Sequence, residues 1–317
     1  MLVATSKSAQ TPLGLVELSS RPVGPKDVRV RVRAIGVNPV DWKMREGGPL
    51  RIAHRVVGPS GPLVVGVDFS GEVIEAGTSA DLGAGTRVVG GTDFSRNQLG
   101  SYADEVVVNA DQCAVLPDAI SFDDAACLPV AGVTAWRALT EIGGIDRKPQ
   151  ARVLVLGASG GVGLMGIQLA RSLGAGAVGV CSSRNTALVE RFGAIAVDYT
   201  KGDALEAARV HGPFELVLHA VGTDLYPLGT CRSLLTPTGK VALAVVRAGD
   251  YLAIGFLPSV ATVLGRPTRK TLDPLVLALS RDELTCLIEK KFPLAQAEYA
   301  HALSRKGKVV GKLLLVP

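Results

Sequence analysis

The stretch GASGGVG, residues 157–163, follows the apolar run RVLVL (152–156) and opens the segment GLMGIQLARSLG (163–174). A short apolar run, a glycine cluster and then apolar residues at helical spacing read as a buried strand, a tight loop and a helix. Three glycines stand three apart, at Gly157, Gly160 and Gly163, with Ser159, Gly161 and Val162 between them. In a loop of this kind the first glycine permits the turn. The second lets a ligand reach bare backbone, and the third lets helix and strand pack closely. The helix N-terminus adds unpaired N–H groups and a partial positive charge, which suits a pyrophosphate. The spacing is GxxGxxG, with Ser159 in the place of the middle glycine of the commoner GxGxxG pattern. A glycine triplet alone also fits a plain turn; the strand before it and the helix after it favour a dinucleotide.

Working outward, strand and helix patterns alternate. GAVGVC (176–181) is a second strand, and NTALVERFGA is a helix closed near Gly193. AIAVDY, DALEAARVHG, FELVLHAVG, LYPLGTCRSLL and GKVALAVV continue the series. Such repetition predicts an α/β fold, a doubly wound parallel sheet covered by helices on both faces. DPLVLALS (273–280) reads as one more apolar strand. RDELTCLIEKK reads as a helix, with Ser280 as N-cap and Glu283 completing a capping box. Upstream the rhythm differs. DVRVRVRAIGV (27–37) alternates apolar and charged residues as a half-buried strand does, and VDFSGEVIEAG, GTRVVGG and SYADEVVVNAD follow suit. That predicts an all-β, barrel-like unit. Residues 118–139 carry two helical stretches interrupted at Pro129. The closing KFPLAQAEYAHALSRKGKVVGKLLLVP returns to helix and strand and rejoins the first unit. The expected division is therefore 1–122 with 281–317, and 123–280.

Length and composition agree: 317 residues suffice for two domains, and 37 glycines imply many tight turns. The 34 basic and 29 acidic side chains are interspersed, so the net charge of +5 gives no block of the kind that binds nucleic acid. The five cysteines include no CxxC pair, and the four histidines form no short ligand pair, which points to a reduced, cytoplasmic chain without a metal. The apolar segment at 251–265 is shorter than the ~20 residues a membrane span needs, and Pro258 interrupts it.

The choice of dinucleotide rests on the end of the second strand. Folds that prefer NAD place an acid about 20 residues past the glycine loop, on the adenosine ribose. Here the strand runs on through Ser182, Ser183, Arg184 and Asn185, with no acid. Two hydroxyls and a guanidinium suit a 2′-phosphate, so NADPH is the expected cofactor. The bland reading makes Ser183 a helix cap and Arg184 a solvated side chain.

Together the pieces VRVRAIGVNPVDWKMREG, VVGVDFSGEV, GTRVVG, GSYADEVVV, LPVAGVTAWRAL, the extended glycine-loop segment, DYT and GKLLLVP resemble the zinc-independent quinone oxidoreductases of the medium-chain dehydrogenase/reductase superfamily. The resemblance runs over nearly the whole chain. It implies a GroES-like β-barrel catalytic domain beside a Rossmann cofactor domain. By the same likeness Asn38 lies near nicotinamide and substrate, and Thr134 and Gly222 approach the cofactor. Tyr199 reaches the 2′-phosphate, and Gly311 and Lys312 lie near the nicotinamide ribose. Asp41 and Lys43 share the loop of Asn38, where a solvated ion pair and a proton relay are both open readings. Trp42 reads as packing or as a substrate contact, and Tyr251, Phe256 and Leu257 read as a cover for a hydrophobic substrate or as plain packing. Zinc-bearing relatives carry a cysteine on the first loop and Gly-His-Glu where this chain has Gly66-Val67-Asp68.

The resemblance therefore implies NADPH-dependent hydride transfer to a quinone or conjugated enone, a small hydrophobic substrate, without a metal. A specialised enoyl reductase or cyclase, and a cofactor-binding sensor without turnover, are the alternatives. Two departures stand out: no tyrosine donor follows the first loop, and the segment before Phe292 is shorter than usual by about ten residues. Pairing of exposed sheet edges near 273–280 is the expected route to a homodimer.

Overall fold

The computed structural model describes residues 1–6, 11–148, 150–247 and 249–317. They divide into two compact units: Met1–Val130 with Arg266–Arg281 and Cys286–Pro317, and Ala131–Gly265 with Asp282–Thr285.

The first unit is organised around the strand Asp27–Val37. Its alternation puts Val28, Val30 and Val32 in the core while Arg31 and Arg33 face solvent. Each such valine buried contributes ~1.5–3 kcal/mol relative to exposure. The strand is long enough to pair antiparallel with Asp68–Ala76 on one edge, and with Glu105–Asn109 and Lys312–Val316 in succession on the other. Two of these registers matter for chemistry. Leu313 sits opposite Val37, which brings Lys312 beside residue 38, and Ala34 sits opposite Ser70, which brings Asp68 near Gly36. Arg87–Gly91 and Cys113–Val115 extend one end of the sheet and Ile288–Pro293 the other. A separate three-stranded sheet, Gly14–Glu17, Leu2–Ser6 and Leu63–Val64, packs into the same apolar cluster as the large sheet, with Phe69 and Tyr102 fully buried.

The second unit is a six-stranded parallel sheet. Its spatial order is Ile195–Asp198, Gly176–Cys181, Arg152–Leu156, Phe214–His219, Leu235–Leu243, Val260–Thr262. Numbered within the unit this is the order 3-2-1-4-5-6, whose reversal point beside the first strand opens a crevice at the carboxyl edge. Gly161–Ser172 connects the first strand to the second, and shorter helices make the other crossovers. The core is built from the apolar runs of the sheet, among them Leu154, Leu156, Val178, Val217 and Val241.

Three expectations are corrected. Residues 273–280 are not a strand: Arg269–Ser280 is a helix, N-capped by Thr268, that belongs to the first unit. The reason is periodicity. Leu272, Leu275 and Val276 are buried while Leu277 is 48% exposed, a one-sided helical stripe that a short apolar run conceals. Pro274 within the segment also argues against a paired strand. The sixth strand is instead Val260–Thr262, inside the apolar segment 251–265. The expected helix after Ser280 is likewise absent. Ser280 ends its helix by donating to the Val276 carbonyl at 2.8 Å, Asp282 turns the chain with φ 55°, and the next element is the strand Ile288–Pro293. Finally, two helical stretches are present, Phe122–Ala125 and a run from Leu128 through Arg137, but the break falls at residues 126–127 and Pro129 sits second in the later run.

Candidate cofactor and catalytic site

In the sheet unit the glycine loop follows the first strand directly. Gly157 has φ 84°, a conformation that disfavours any side chain. A Cβ on Gly163 would stand 2.3 Å from the Gly157 carbonyl oxygen and 2.7 Å from Ala158 Cα, so only glycine lets the helix meet the loop. The loop closes with Gly160 N–H on the Gly157 carbonyl, 3.1 Å, and the first bond of the helix runs from Leu164 N–H to Gly160, 2.9 Å. The N–H groups of Gly161, Val162 and Gly163 precede that bond, the position from which a helix start can donate to an anion. Ser159 Oγ accepts from Asn185 Nδ2 at 2.9 Å, so Asn185 ties the glycine loop to the end of the second strand. Asn185 also reaches Ser182 Oγ at 3.4 Å. It was visible within CSSRN but was not singled out as a site residue.

Ser183, Arg184 and Tyr199 are exposed at that same edge. Beside them stands a carboxylate that sequence reasoning missed. Asp198, at the end of the third strand, accepts from Ser183 Oγ at 2.5 Å and from Thr200 N–H and Oγ1 at 2.9 and 2.7 Å. The Ser183 hydrogen bond, joined by those of Thr200, holds its carboxyl below the usual range. The second strand has no acid, yet the pocket edge is not free of carboxylate, because parallel pairing sets Cys181 against Asp198. Thr134 is buried in the helix Val133–Arg137, and Gly222 lies in the loop after the fourth strand, its carbonyl accepting from Leu225 N–H at 3.0 Å. Tyr251 and Phe256 are 60% and 81% exposed on the helix Asp250–Phe256, whereas Leu257 packs on the core of the sheet unit.

In the first unit the register brings Asn38, Asp68 and Lys312 together in the interior. Lys312 Nζ donates to Asn38 Oδ1 at 2.6 Å, Asp68 Oδ2 at 3.0 Å and the Val37 carbonyl at 3.3 Å. All three ammonium protons are thereby used. Asn38 Nδ2 donates to Asp68 Oδ2 at 2.8 Å and, more weakly, to the Gly36 carbonyl at 3.3 Å; Asp68 Oδ1 accepts from Val130 N–H at 2.9 Å. The lysine expected near a ribose thus turns its charge inward, with side-chain exposure of 5% against 0% for Asp68. Gly311, just before it, has φ 72°.

Asp41 forms no solvated pair with Lys43. It is 1% exposed and accepts from Asn38 N–H at 2.7 Å, capping the helix Pro39–Glu46, and from Tyr102 Oη at 3.1 Å. Burial pushes its carboxyl up to about 7 against those hydrogen bonds. Behind it, His301 Nε2 lies 2.9 Å from Tyr102 Oη, and its Nδ1 lies 3.3 Å from Arg45 Nη1. An arginine only donates, so Nδ1 is the acceptor and Nε2 carries the proton. Burial, then the neighbouring Arg45, pushes His301 down to about 3. Arg45 continues the chain to Glu298 at 2.8 Å. Trp42 Nε1 donates to Ser304 Oγ at 3.1 Å, and the Arg305 guanidinium lies 5.8 Å from its ring centre. Lys43 Nζ also lies over that ring, at 5.6 Å.

Comparison with known proteins fits this geometry. Residues 24–118 match the alcohol dehydrogenase GroES-like domain, and residues 192–315 match the zinc-binding dehydrogenase domain. The mitochondrial NAD(P)H oxidoreductase RTN4IP1 of Danio rerio is 30% identical over 92% of this chain and 84% of its own length. The chain belongs to the quinone-oxidoreductase-like medium-chain dehydrogenases/reductases. Its fold is accordingly the GroES-like unit plus the Rossmann-like sheet. The quinone oxidoreductase of Coxiella burnetii superposes with a TM-score of 0.87 at 29% identity, covering 100% of this chain and 98% of that one. The Escherichia coli quinone oxidoreductase complexed with NADPH gives 0.78 at 25% identity, covering 100% and 99%.

Among the described residues no three His, Cys, Asp or Glu side chains are grouped to hold a metal ion. Asn38 and Asp68 are instead held by the Lys312 ammonium. No helix among the described residues is long and apolar enough to cross a membrane.

Proposed function

We propose that this oxidoreductase reduces a quinone or the activated C=C bond of a conjugated enone or enal with NADPH, and that it does so without a metal. The observation that carries the reading is the Gly157–Gly163 loop at the reversal point of a 3-2-1-4-5-6 sheet, with Ser182, Ser183, Arg184 and Tyr199 at the adjoining carboxyl edge. The helix-start N–H groups would hold the pyrophosphate, and the Ser182 hydroxyl, the guanidinium and the phenol would hold the 2′-phosphate. The bound cofactor supplies the hydride.

The protein's part is positioning and stabilisation of the oxygen that becomes anionic as hydride arrives at the conjugated acceptor. Asn38 is the donor on the loop, and the amide proton held only at 3.3 Å by Gly36 is the one free to turn to substrate. Asp41 and Lys312 act through it: one fixes its backbone N–H, the other its carbonyl oxygen. Solvent or Lys43 returns the proton. Tyr251 and Phe256 offer apolar surface to a hydrophobic substrate. The five cysteines are all free thiols, which suits a reducing, cytoplasmic setting. Val260–Thr262 ends the sheet and offers the edge for a homodimer.

The test is NADPH oxidation followed by absorbance across a panel of quinones and enals, with Asn38→Ala alongside. Turnover with wild type, and a kcat about 10²-fold lower in the variant at unchanged NADPH affinity, is the expected result. NADPH binding without turnover of any panel member overturns the reading.

A further inference from the structure

The acid that the second strand lacks is supplied by the strand next to it. Because Cys181 pairs with Asp198, Ser182 and Ser183 emerge beside Asp198, Tyr199 and Thr200 on the carboxyl edge of the sheet. There Ser183 Oγ and Thr200 Oγ1 lie 2.5 and 2.7 Å from the Asp198 carboxylate oxygens and 2.6 Å from each other, so their two protons are shared among these three contacts. The carboxylate is 7% exposed, with Lys201 Nζ 3.8 Å away.

We infer that Asp198 sets the cofactor choice of this site: it limits the preference for the 2′-phosphorylated carrier and keeps NADH a ligand as well. The inference rests on reading this edge as the ribose end of a nicotinamide dinucleotide site. Three physical effects act together. A fixed anion repels a 2′-phosphate that carries ~1.5–2 negative charges. Each hydroxyl has one proton, spent within this cluster on Asp198 or on the other hydroxyl, so neither has one to offer a phosphate. A carboxylate, in contrast, accepts hydrogen bonds from an unphosphorylated ribose, the role an acid about 20 residues past the glycine loop plays in NAD-binding folds. Lys201, together with Arg184, which follows Ser183 in the chain, supplies the opposing positive charge that keeps NADPH bound.

Asp198 also caps the turn Tyr199–Lys201 through Thr200 N–H, a purely structural role. Asp198→Asn separates the two roles, because asparagine caps as well as aspartate but carries no charge. Asp198→Ser, another good cap, is the second variant should the first fold poorly. Calorimetric titration with NADPH, NADH, 2′,5′-ADP and 5′-AMP reads binding without reference to turnover. Wild type is expected to bind NADPH and NADH with Kd values within about tenfold of each other. The neutral variant is expected to bind NADPH and 2′,5′-ADP about tenfold more tightly, with NADH and 5′-AMP unimproved, and the gain shrinks in high salt. A variant that moves all four ligands alike, or none, reduces Asp198 to a turn cap and overturns the inference while leaving the cofactor reading intact. A wild-type chain that binds neither dinucleotide removes both.

Discussion

Replacing Lys312 by methionine asks whether the buried ammonium is part of the fold or a cofactor contact. The side chain lies 4% exposed as a residue, and its partner Asp68 is fully enclosed. Methionine fills a similar volume but removes the charge at 3.0 Å from Asp68 Oδ2 and the donor at 2.6 Å from Asn38 Oδ1. Asp68 keeps Asn38 Nδ2 and Val130 N–H, so it remains hydrogen-bonded but loses its counter-charge. Breaking a buried pair from one side costs ~3–5 kcal/mol. At roughly 2–4 °C per kcal/mol for a unit of this size, the melting temperature should fall by about 6–20 °C. Urea unfolding and calorimetry measure it. The diagnostic variant is the double change Lys312→Met with Asp68→Asn, which removes both charges. It should be more stable than the single lysine variant, with a coupling energy of about 2 kcal/mol. A lysine variant within 1 kcal/mol of wild type that instead binds NADPH poorly, or strictly additive losses, would refute the reasoning and restore the ribose contact.

Three further outcomes follow from the same geometry. Gly163→Ala forces a Cβ within 2.3 Å of the Gly157 carbonyl, so backbone must move; a loss of ~1–3 kcal/mol and weakened dinucleotide binding are expected in parallel melting and titration experiments. Tyr102→Phe leaves Asp41 Oδ2 and His301 Nε2–H without their shared partner and should cost ~1–3 kcal/mol by urea unfolding, without a change in cofactor affinity. Asp41, raised by burial to about 7, retains its proton longer in the folded chain, so its contribution is full below about pH 4 and is lost as the pH climbs to 7; His301, lowered to about 3, contributes above about pH 6.5 and loses that as the pH falls. The two slopes oppose each other between about pH 4 and 6.5, so Asp41→Asn should make stability rise across that range more steeply, by up to about 1.4 kcal/mol per pH unit, and pH curves parallel to wild type would count against it.

The elements legible in advance were those whose signal is local. RVLVL followed by the glycine loop and an amphipathic run, and the alternation of DVRVRVRAIGV, each name their structure within a dozen residues, because period and turn chemistry act over that range. The segment 273–280 failed because its eight residues, most of them apolar, carry no clear period. Whether they form strand or helix depends on the surface they cover, here a face of the first unit. The same holds for Val260–Thr262, a three-residue strand that exists because Leu235–Leu243 offers it an edge.

For the site, the sequence by itself determined the backbone chemistry: where glycine must stand, where a helix would present its N–H groups, and that the second strand ends in hydroxyls and a guanidinium. Tertiary structure alone decided which side chains share a charge. Strand pairing carried Asp198 to Ser183 and Lys312 to Asn38 and Asp68, and packing of the helix Ala297–Arg305 carried His301 to Tyr102, across 15 to 274 residues of chain. Propensity and spacing act between neighbours in sequence. Electrostatic and hydrogen-bonding partnerships are set by distance in space, which only sheet register and helix packing fix.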